Sequence, residues 1–190
     1  MKSNFFAFLN RMKYIARWGL MRNSRTENVQ EHSLQVAMIA HGLAVIKNKY
    51  FGGSINAEKV AAVAMYHDAS EIITGDLPTP VKYHNKEIIA SYKDLECKAN
   101  RKILAMLPEE MQDEYTQLFE CTDEYTEKLV KAADKLSAYI KCIEETASGN
   151  PEFSTAKTSV EKWIEGCDMP EVKYFMEHFM TGFTLTLDEM

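Results

Sequence analysis

His32, the dyad His67-Asp68 and Asp134 are the side chains of this sequence whose types and placement can do chemistry together. His32 stands just before the apolar run 34–46 (LQVAMIAHGLAVI), His67-Asp68 closes the run 60–67 (VAAVAMYH), and Asp134 lies inside 129–143 (LVKAADKLSAYIKCI). Helices that are apolar around much of their circumference belong in the middle of a bundle. A carboxylate brought there without a partner is very costly. Two imidazoles and two carboxylates converging from three such helices form an N₂O₂ metal site, which satisfies all four buried groups at once. Taken singly, His32 or Asp134 reads as a helix cap or a salt-bridge partner. Taken jointly with the tandem His67-Asp68, the metal reading is the stronger.

Glu71 follows Asp68 by three residues and His67 by four, which on a continuing helix puts all three on one face. A carboxylate there can take a proton from water or hand one to a leaving oxygen. Near a helix C-terminus a Glu is unfavourable for the dipole, so its presence asks for a reason. Asp76 is the rival for the same role. Arg17 offers a planar, two-pronged donor for phosphate, and Trp18 an apolar plate for a sugar or base. Their ordinary alternatives are a surface ion pair and a core anchor. Arg22 and Arg25 read as solvated or structural.

The elements that must position these groups are helices. Only 8 glycines and 5 prolines punctuate the 190 residues. Phe5, Phe8, Leu9, Met12 and Ile15 recur at helical spacing behind Ser3 as N-cap. Asn28 and Glu31 form a capping box ahead of Leu34–Ile46, and Gly52-Gly53 ends that helix. Asn56 caps a third helix running to about Ile72. The stretch Gly75–Pro80 is expected to be non-helical, since Pro disfavours helical backbone in the residue before it. Helical patterns then cover about 86–106, 109–120, 124–147, 152–165 and 170–181. Period-two alternation is absent, and the expectation is an all-α, single-domain bundle.

Composition agrees with one globular domain: 46% apolar, 26% charged, net charge −6. An acidic chain is a poor polyanion binder, so neither a nucleic-acid polymer nor a membrane surface is an expected partner. Cys97, Cys121, Cys142 and Cys167 make no CxxC pair and read as reduced thiols of a cytoplasmic protein. The apolar run Phe5–Leu9 is too short for a signal peptide, and no stretch approaches the ~20 apolar residues of a membrane span.

The order His…His-Asp…Asp on an all-α chain resembles the HD-domain metal-dependent phosphohydrolases. Around it, RWGLMRN, RTENVQEHSLQVAMIAH, AMYHDASEIITGDLPTPVKY and LVKAADKLSAYIKCIEE are closely similar to the bacterial 5′-deoxynucleotidases of the YfbR type, from about Phe5 to the C-terminal TLDE. The HD dyad alone serves many hydrolases, whereas the HDASE…TGDLPTPVKY block is specific to this family. The resemblance implies one HD-type domain over 1–190, with its metal-site core at about 28–145. It implies His32, His67, Asp68 and Asp134 as ligands of one divalent transition metal. By the resemblance Co²⁺ is favoured, with Mn²⁺, Cu²⁺, Fe²⁺ or Zn²⁺ as alternatives; the mixed donor set suits all of these better than Mg²⁺, which prefers oxygen. His41, His84 and His178 fall in no second-metal motif and read as structural or surface residues.

The implied reaction is hydrolysis of 2′-deoxyribonucleoside 5′-monophosphates to deoxynucleoside and phosphate by a metal-bound water. Glu71 or Asp76 would move the proton, and Arg17 would neutralise charge on the phosphoryl oxygens. Substrate contacts would come from Arg17, Trp18, His32, Asp68, Asp134 and the loop Asp76, Leu77, Pro78 and Thr79. Trp18 and this loop are expected to crowd the ribose 2′ position. A homodimer is also implied; Met169, Phe175, Met176, Phe179, Met180 and Phe183 are candidates for its interface or for core. Two other readings stay open. One is an HD phosphohydrolase acting on triphosphates or signalling nucleotides, which would call for more Lys and Arg at the pocket. The other is a non-catalytic nucleotide-binding module with a metal staple, which would bind without turnover.

Overall fold

The computed structural model describes residues 2–82, 84–121 and 123–190; Tyr83, which ends the TGDLPTPVKY block, lies outside them. The elements are α1 (Phe5–Leu9), α2 (Val29–Tyr50), α3 (Ala57–Tyr66), α4 (Glu71–Thr74), α5 (Thr79–Lys82), α6 (Lys86–Leu104), α7 (Glu109–Phe119), α8 (Glu124–Ala147), α9 (Ser154–Glu165) and α10 (Pro170–His178). Short 3₁₀ turns occupy Asn10–Tyr14, Pro151–Phe153, Met180–Thr184 and Leu187–Glu189. Among the described residues there is no strand, only an isolated antiparallel bridge between Ala16 and Asn28.

α2, α3 and α8 form the centre, as their apolar circumference requires. Val36, Ala40, Leu43 and Ala44 of α2 pack with Val60 and Ala64 of α3 and with Leu129, Ala132, Ala133, Leu136 and Ile140 of α8. The alanines let the helix axes approach, while Leu43 and Leu136 fill the remaining volume; truncating either to Ala would cost about 2–5 kcal/mol. α10 covers this core through Val172 and Phe175. A second cluster, Phe5, Met12, Val29, Ala69, Ile103, Leu104 and Leu107, packs the N-terminal segment against α6 and the turn after α3.

The helix ends follow local chemistry. Asn28 Oδ1 accepts from the N–H groups of Gln30 and Glu31 at 3.0 Å, so the cap belongs to Asn28. Asn56 Oδ1 accepts from Lys59 N–H at 2.8 Å. Ser3 Oγ accepts from Phe5 N–H at 3.2 Å and donates to Met106 O, although the residue bounding α1 is Asn4. α2 ends where Gly52 takes a φ of 67° and the Phe51 and Gly53 N–H groups return to Lys47 O.

Two expectations are corrected. The helix through Asn56 stops at Tyr66 rather than near Ile72, and α4 starts at Glu71. Between them the chain tightens into i→i+3 bonds, with Ala69 N–H on Tyr66 O and Glu71 N–H on Asp68 O at 3.0 Å. Glu71 therefore does not share one continuous helix with His67. Thr79-Pro80, expected outside any helix, opens the one-turn α5. A proline in a first turn gives up only an N–H that has no intrahelical partner. The turn at Gly75 (φ 72°, ψ 162°) uses a conformation essentially confined to glycine and directs the chain from α4 into Asp76.

Candidate metal centre and active site

His32 sits in the first turn of α2, one residue beyond the bonds made by the Asn28 cap, and is 1% exposed. Its Nδ1 lies 3.1 Å from Ser137 Oγ, and that hydroxyl donates to Gln35 Oε1 at 2.6 Å. A hydroxyl whose proton is spent on Gln35 can only accept from the imidazole. His32 therefore carries its proton on Nδ1 and presents a bare Nε2. His67, at the end of α3, does the same: its Nδ1 donates to Ala64 O at 2.7 Å. Both Nε2 atoms are buried and make no hydrogen bond.

The carboxylates converge on those two nitrogens. Asp68 Oδ2 lies 3.1 Å from His67 Nε2 and 3.7 Å from His32 Nε2, and Asp134 Oδ1 lies 3.1 Å from His32 Nε2. One ligand atom from each of His32, His67 and Asp68 falls within 4.8 Å of the others. Burial alone would raise both aspartates, but His67 with His32 and Arg17 holds Asp68, and His32 holds Asp134, well below the usual carboxylate range. Burial also opposes charging of His67, yet Asp68 and Asp134 push it up. The carboxylates thus draw a positive charge toward Nε2. Two orphaned imidazole lone pairs flanked by ionised carboxylates fit a divalent borderline metal. Asp134, mid-way along α8, reaches the group through His32.

Arg17 borders the cluster, with Nη1 donating to Asp68 Oδ2 at 3.3 Å and Nε 3.5 Å from Glu27 Oε2. Burial works against its charge, while Asp68, Asp134, Glu27 and Asp76 together keep the guanidinium firmly protonated. With one side-chain hydrogen bond made, most of its fork remains available to an anion. Trp18 adopts a φ of 58°, unusual for a non-glycine residue. Its indole N–H donates to Glu27 Oε2 at 2.8 Å and its ring packs 5.2 Å from Phe153. Trp18 is therefore an anchored wall beside Arg17.

Glu71 is buried, and its Oε2 has no hydrogen-bond partner. Burial, then the charges of Asp68 and Asp76, push its carboxyl up to about 9 despite Arg17 and Lys82. Asp76 is half-buried and is raised by burial and Asp68, while Arg17 and the Trp18 backbone N–H partly offset them. Leu77 and Pro78 are half-buried and Thr79 is exposed. A cleft of about 500 Å³ opens beside His67 and Asp134, walled by Tyr92 and Phe119 and edged by Lys82 and Lys131.

The structure brings together His32, His67, Asp68, Asp134 and Arg17, with Glu71 and Asp76 within their electrostatic reach. His41, His84 and His178 are exposed, and none joins the ligand group. Arg22 pairs at the surface with Glu152, in keeping with a structural role. Sequence reasoning missed Glu27, Ser137 and Gln35. Ser137 follows Asp134 by three residues, a spacing that shares its helix face and could have flagged it. Glu27 lies in a loop, with no periodicity to single it out. Of the C-terminal apolar residues, Phe175 and Met180 are core, Met169 and Met176 are half-buried against it, and Phe179 and Phe183 are exposed.

Residues 4–183 match the family described as 5′-deoxynucleotidase YfbR-like. A 5′-deoxynucleotidase YfbR of Escherichia coli O1:K1 is 56% identical over 191 residues, covering all of this chain and 96% of its own length. Among solved structures, an HD-domain phosphohydrolase from Listeria innocua superposes with a TM-score of 0.81 at 24% identity, covering 95% of this chain and 88% of that one. An HD phosphohydrolase of cyanophage S-2L, bound to dA and one catalytic Zn²⁺ ion, has a TM-score of 0.65 at 18% identity, covering 95% and 96%. Both structures speak for the fold.

Proposed function

The chain belongs to the 5′-deoxynucleotidase YfbR-like family, and from that premise we propose how its own residues carry the reaction. It is a metal-dependent 5′-deoxynucleotidase, a phosphoric monoester hydrolase that splits 2′-deoxyribonucleoside 5′-monophosphates into deoxynucleoside and phosphate. The observation that carries the site assignment is the pair of buried, unpartnered Nε2 atoms facing Asp68 and Asp134 beside Arg17. His32, His67, Asp68 and Asp134 would hold one divalent transition metal; their mixed nitrogen and oxygen donors suit Co²⁺, Mn²⁺, Cu²⁺, Fe²⁺ or Zn²⁺ better than Mg²⁺. Such an ion polarises the phosphoryl group and lowers the pKa of water.

Arg17 takes the phosphate. Its fork clamps two phosphoryl oxygens and neutralises the charge that grows on them as the P–O5′ bond breaks. Glu71, buried with one free oxygen and kept in its protonated form by that burial, moves the proton: it delivers one to the leaving O5′. Asp76, tied electrostatically to Arg17 and to the Trp18 N–H, orients both. Leu77, Pro78 and Thr79 continue the wall on the nucleoside side, and Trp18, held by Glu27 and Phe153, crowds the ribose 2′ position. The free thiols of Cys97, Cys121, Cys142 and Cys167 support a cytoplasmic setting, and no helix among the described residues is long and apolar enough to cross a membrane. Exposed Met38, Phe179, Phe183, Leu187 and Met190 support a homodimer.

The test is phosphate release from dAMP and AMP in parallel, on chelated protein with and without Co²⁺, Mn²⁺ or Zn²⁺. Metal-dependent release from dAMP with little from AMP is expected. Pyrophosphate or triphosphate release from nucleoside triphosphates, with none from dAMP, would move the chain to a different HD reaction. Stoichiometric metal binding with no turnover of either would make it a binding module.

A further inference from the structure

Residues 17–27 form a loop whose ends meet: Ala16 bridges to Asn28, and Arg17 N–H donates to Glu27 O at 3.0 Å. Arg17 and Trp18 begin this loop, so the guanidinium aimed at Asp68 goes wherever the loop is held. The loop is fastened by the far end of α8. Glu145, 1% exposed, accepts from Ser24 N–H at 2.9 Å, from Arg25 N–H at 3.3 Å and from Asn150 Nδ2 at 2.8 Å. Lys141, one turn earlier and also buried, pairs with Glu145 and donates to Arg25 O. Asn150 Nδ2 donates in addition to Arg22 O at 2.7 Å. Phe153, the ring beneath Trp18, lies under the Lys141 ammonium at 5.5 Å.

Two opposite charges are thus buried, with a half-buried amide beside them, for the sake of backbone groups at Ser24 and Arg25, residues that are themselves exposed. Glu145 is eleven residues from Asp134, roughly 16 Å along the helix axis, and takes no part in the chemistry. Apolar side chains of equal size would stabilise a helix end at least as well as a buried ion pair. What the ion pair supplies is a fixed direction for three donors, the Ser24 and Arg25 N–H groups and the Asn150 amide. We propose that Glu145, oriented by Lys141 and Asn150, is a positioning residue that sets where Arg17 meets the substrate phosphate. The proposal rests on the reading of Arg17 as the phosphate-binding residue.

The experiment compares parent, Glu145→Gln, Asn150→Ala, Arg17→Ala and the double variant Arg17→Ala/Glu145→Gln as full-length, metal-loaded protein. Readouts are kcat and KM for phosphate release from dAMP, metal dissociation constants by chelator competition, and thermal midpoints. Glu145→Gln is expected to lower kcat/KM by about tenfold to a hundredfold, the scale of a misplaced clamp. Metal should still bind at full stoichiometry, because none of the four proposed ligands lies on the loop. The double variant should be no slower than Arg17→Ala alone, since both act through one guanidinium. Asn150→Ala, which leaves the ion pair intact, should shift kcat/KM in the same direction by less. Parental kinetics below the thermal transition, or a cost that adds fully to that of Arg17→Ala, overturns the proposal. If Glu145→Gln does not fold, parental kinetics in Asn150→Ala overturn it equally. Parental kinetics in Arg17→Ala would instead remove the reading of Arg17, and the proposal with it.

Discussion

Replacing Ser137 by alanine deletes one hydroxyl that touches neither substrate nor metal, yet it should weaken metal binding. The hydroxyl is fully buried on α8; it accepts the Nδ1 proton of His32 at 3.1 Å and donates to Gln35 Oε1 at 2.6 Å. Without it, His32 loses the partner that fixes its ring and tautomer, and Nε2 is no longer reserved for a cation. Loss of such an outer partner typically weakens metal affinity by about 10- to 100-fold, equivalent to about 1.4–2.7 kcal/mol. Glu27 Oε1, 3.6 Å from the same Nδ1, can take over part of the bond, which places the expected loss near the tenfold end. Folding stability should fall by about 1 kcal/mol for the lost buried hydrogen bond. The assay is competition of apoprotein against a chromophoric chelator for Co²⁺ or Zn²⁺, with circular dichroism to confirm the helices. Ser137→Thr, which keeps the hydroxyl, should restore parental affinity. A Ser137→Ala affinity within about twofold of the parent in a folded protein would refute the tautomer reasoning.

Three further outcomes are expected. Asp134→Ala and His67→Ala should each abolish metal binding and turnover while keeping an α-helical spectrum, whereas Arg17→Ala should keep the metal and lose about 2–4 kcal/mol of transition-state stabilisation, read as kcat/KM. Burial raises the Glu145 carboxyl, but Lys141, Asn150 and Ser24 outweigh it and hold the group well below its usual range. Its stabilisation is therefore present above the ordinary glutamate pKa of about 4.3 and fades as pH falls toward the folded-state value, so Glu145→Gln should flatten the acid limb of a melting-temperature profile. An unchanged acid limb would contradict that. Cys142 is fully buried, and burial pushes its thiol up to about 11. Under native conditions it should be alkylated far more slowly than Cys97, Cys121 and Cys167, which peptide mass spectrometry can follow; equal rates would exclude the packing described.

Much of this protein was legible in order of residues alone. The apolar circumference of 34–46, 60–67 and 129–143 marked the three central helices, because only burial on all sides favours such a pattern. Asn28, Asn56 and Gly52-Gly53 marked ends correctly, since capping is a contact between neighbours in the chain. The candidate metal ligands stood out because buried polar groups on those helices needed a common partner. Tertiary structure alone decided the rest. The break of α3 at Tyr66 depends on Ala69 entering the second core cluster, a contact with distant residues that overrides local helical preference. The tautomer of His32 depends on Ser137, 105 residues away, and the seat of Arg17 on Glu27 and Asp68. The clasp at Glu145 reaches back 121 residues to Ser24. Periodicity and capping act over a few residues and can be read from order. Hydrogen bonds between side chains and distant backbone carry no period, so they appear only once the helices have brought their ends together.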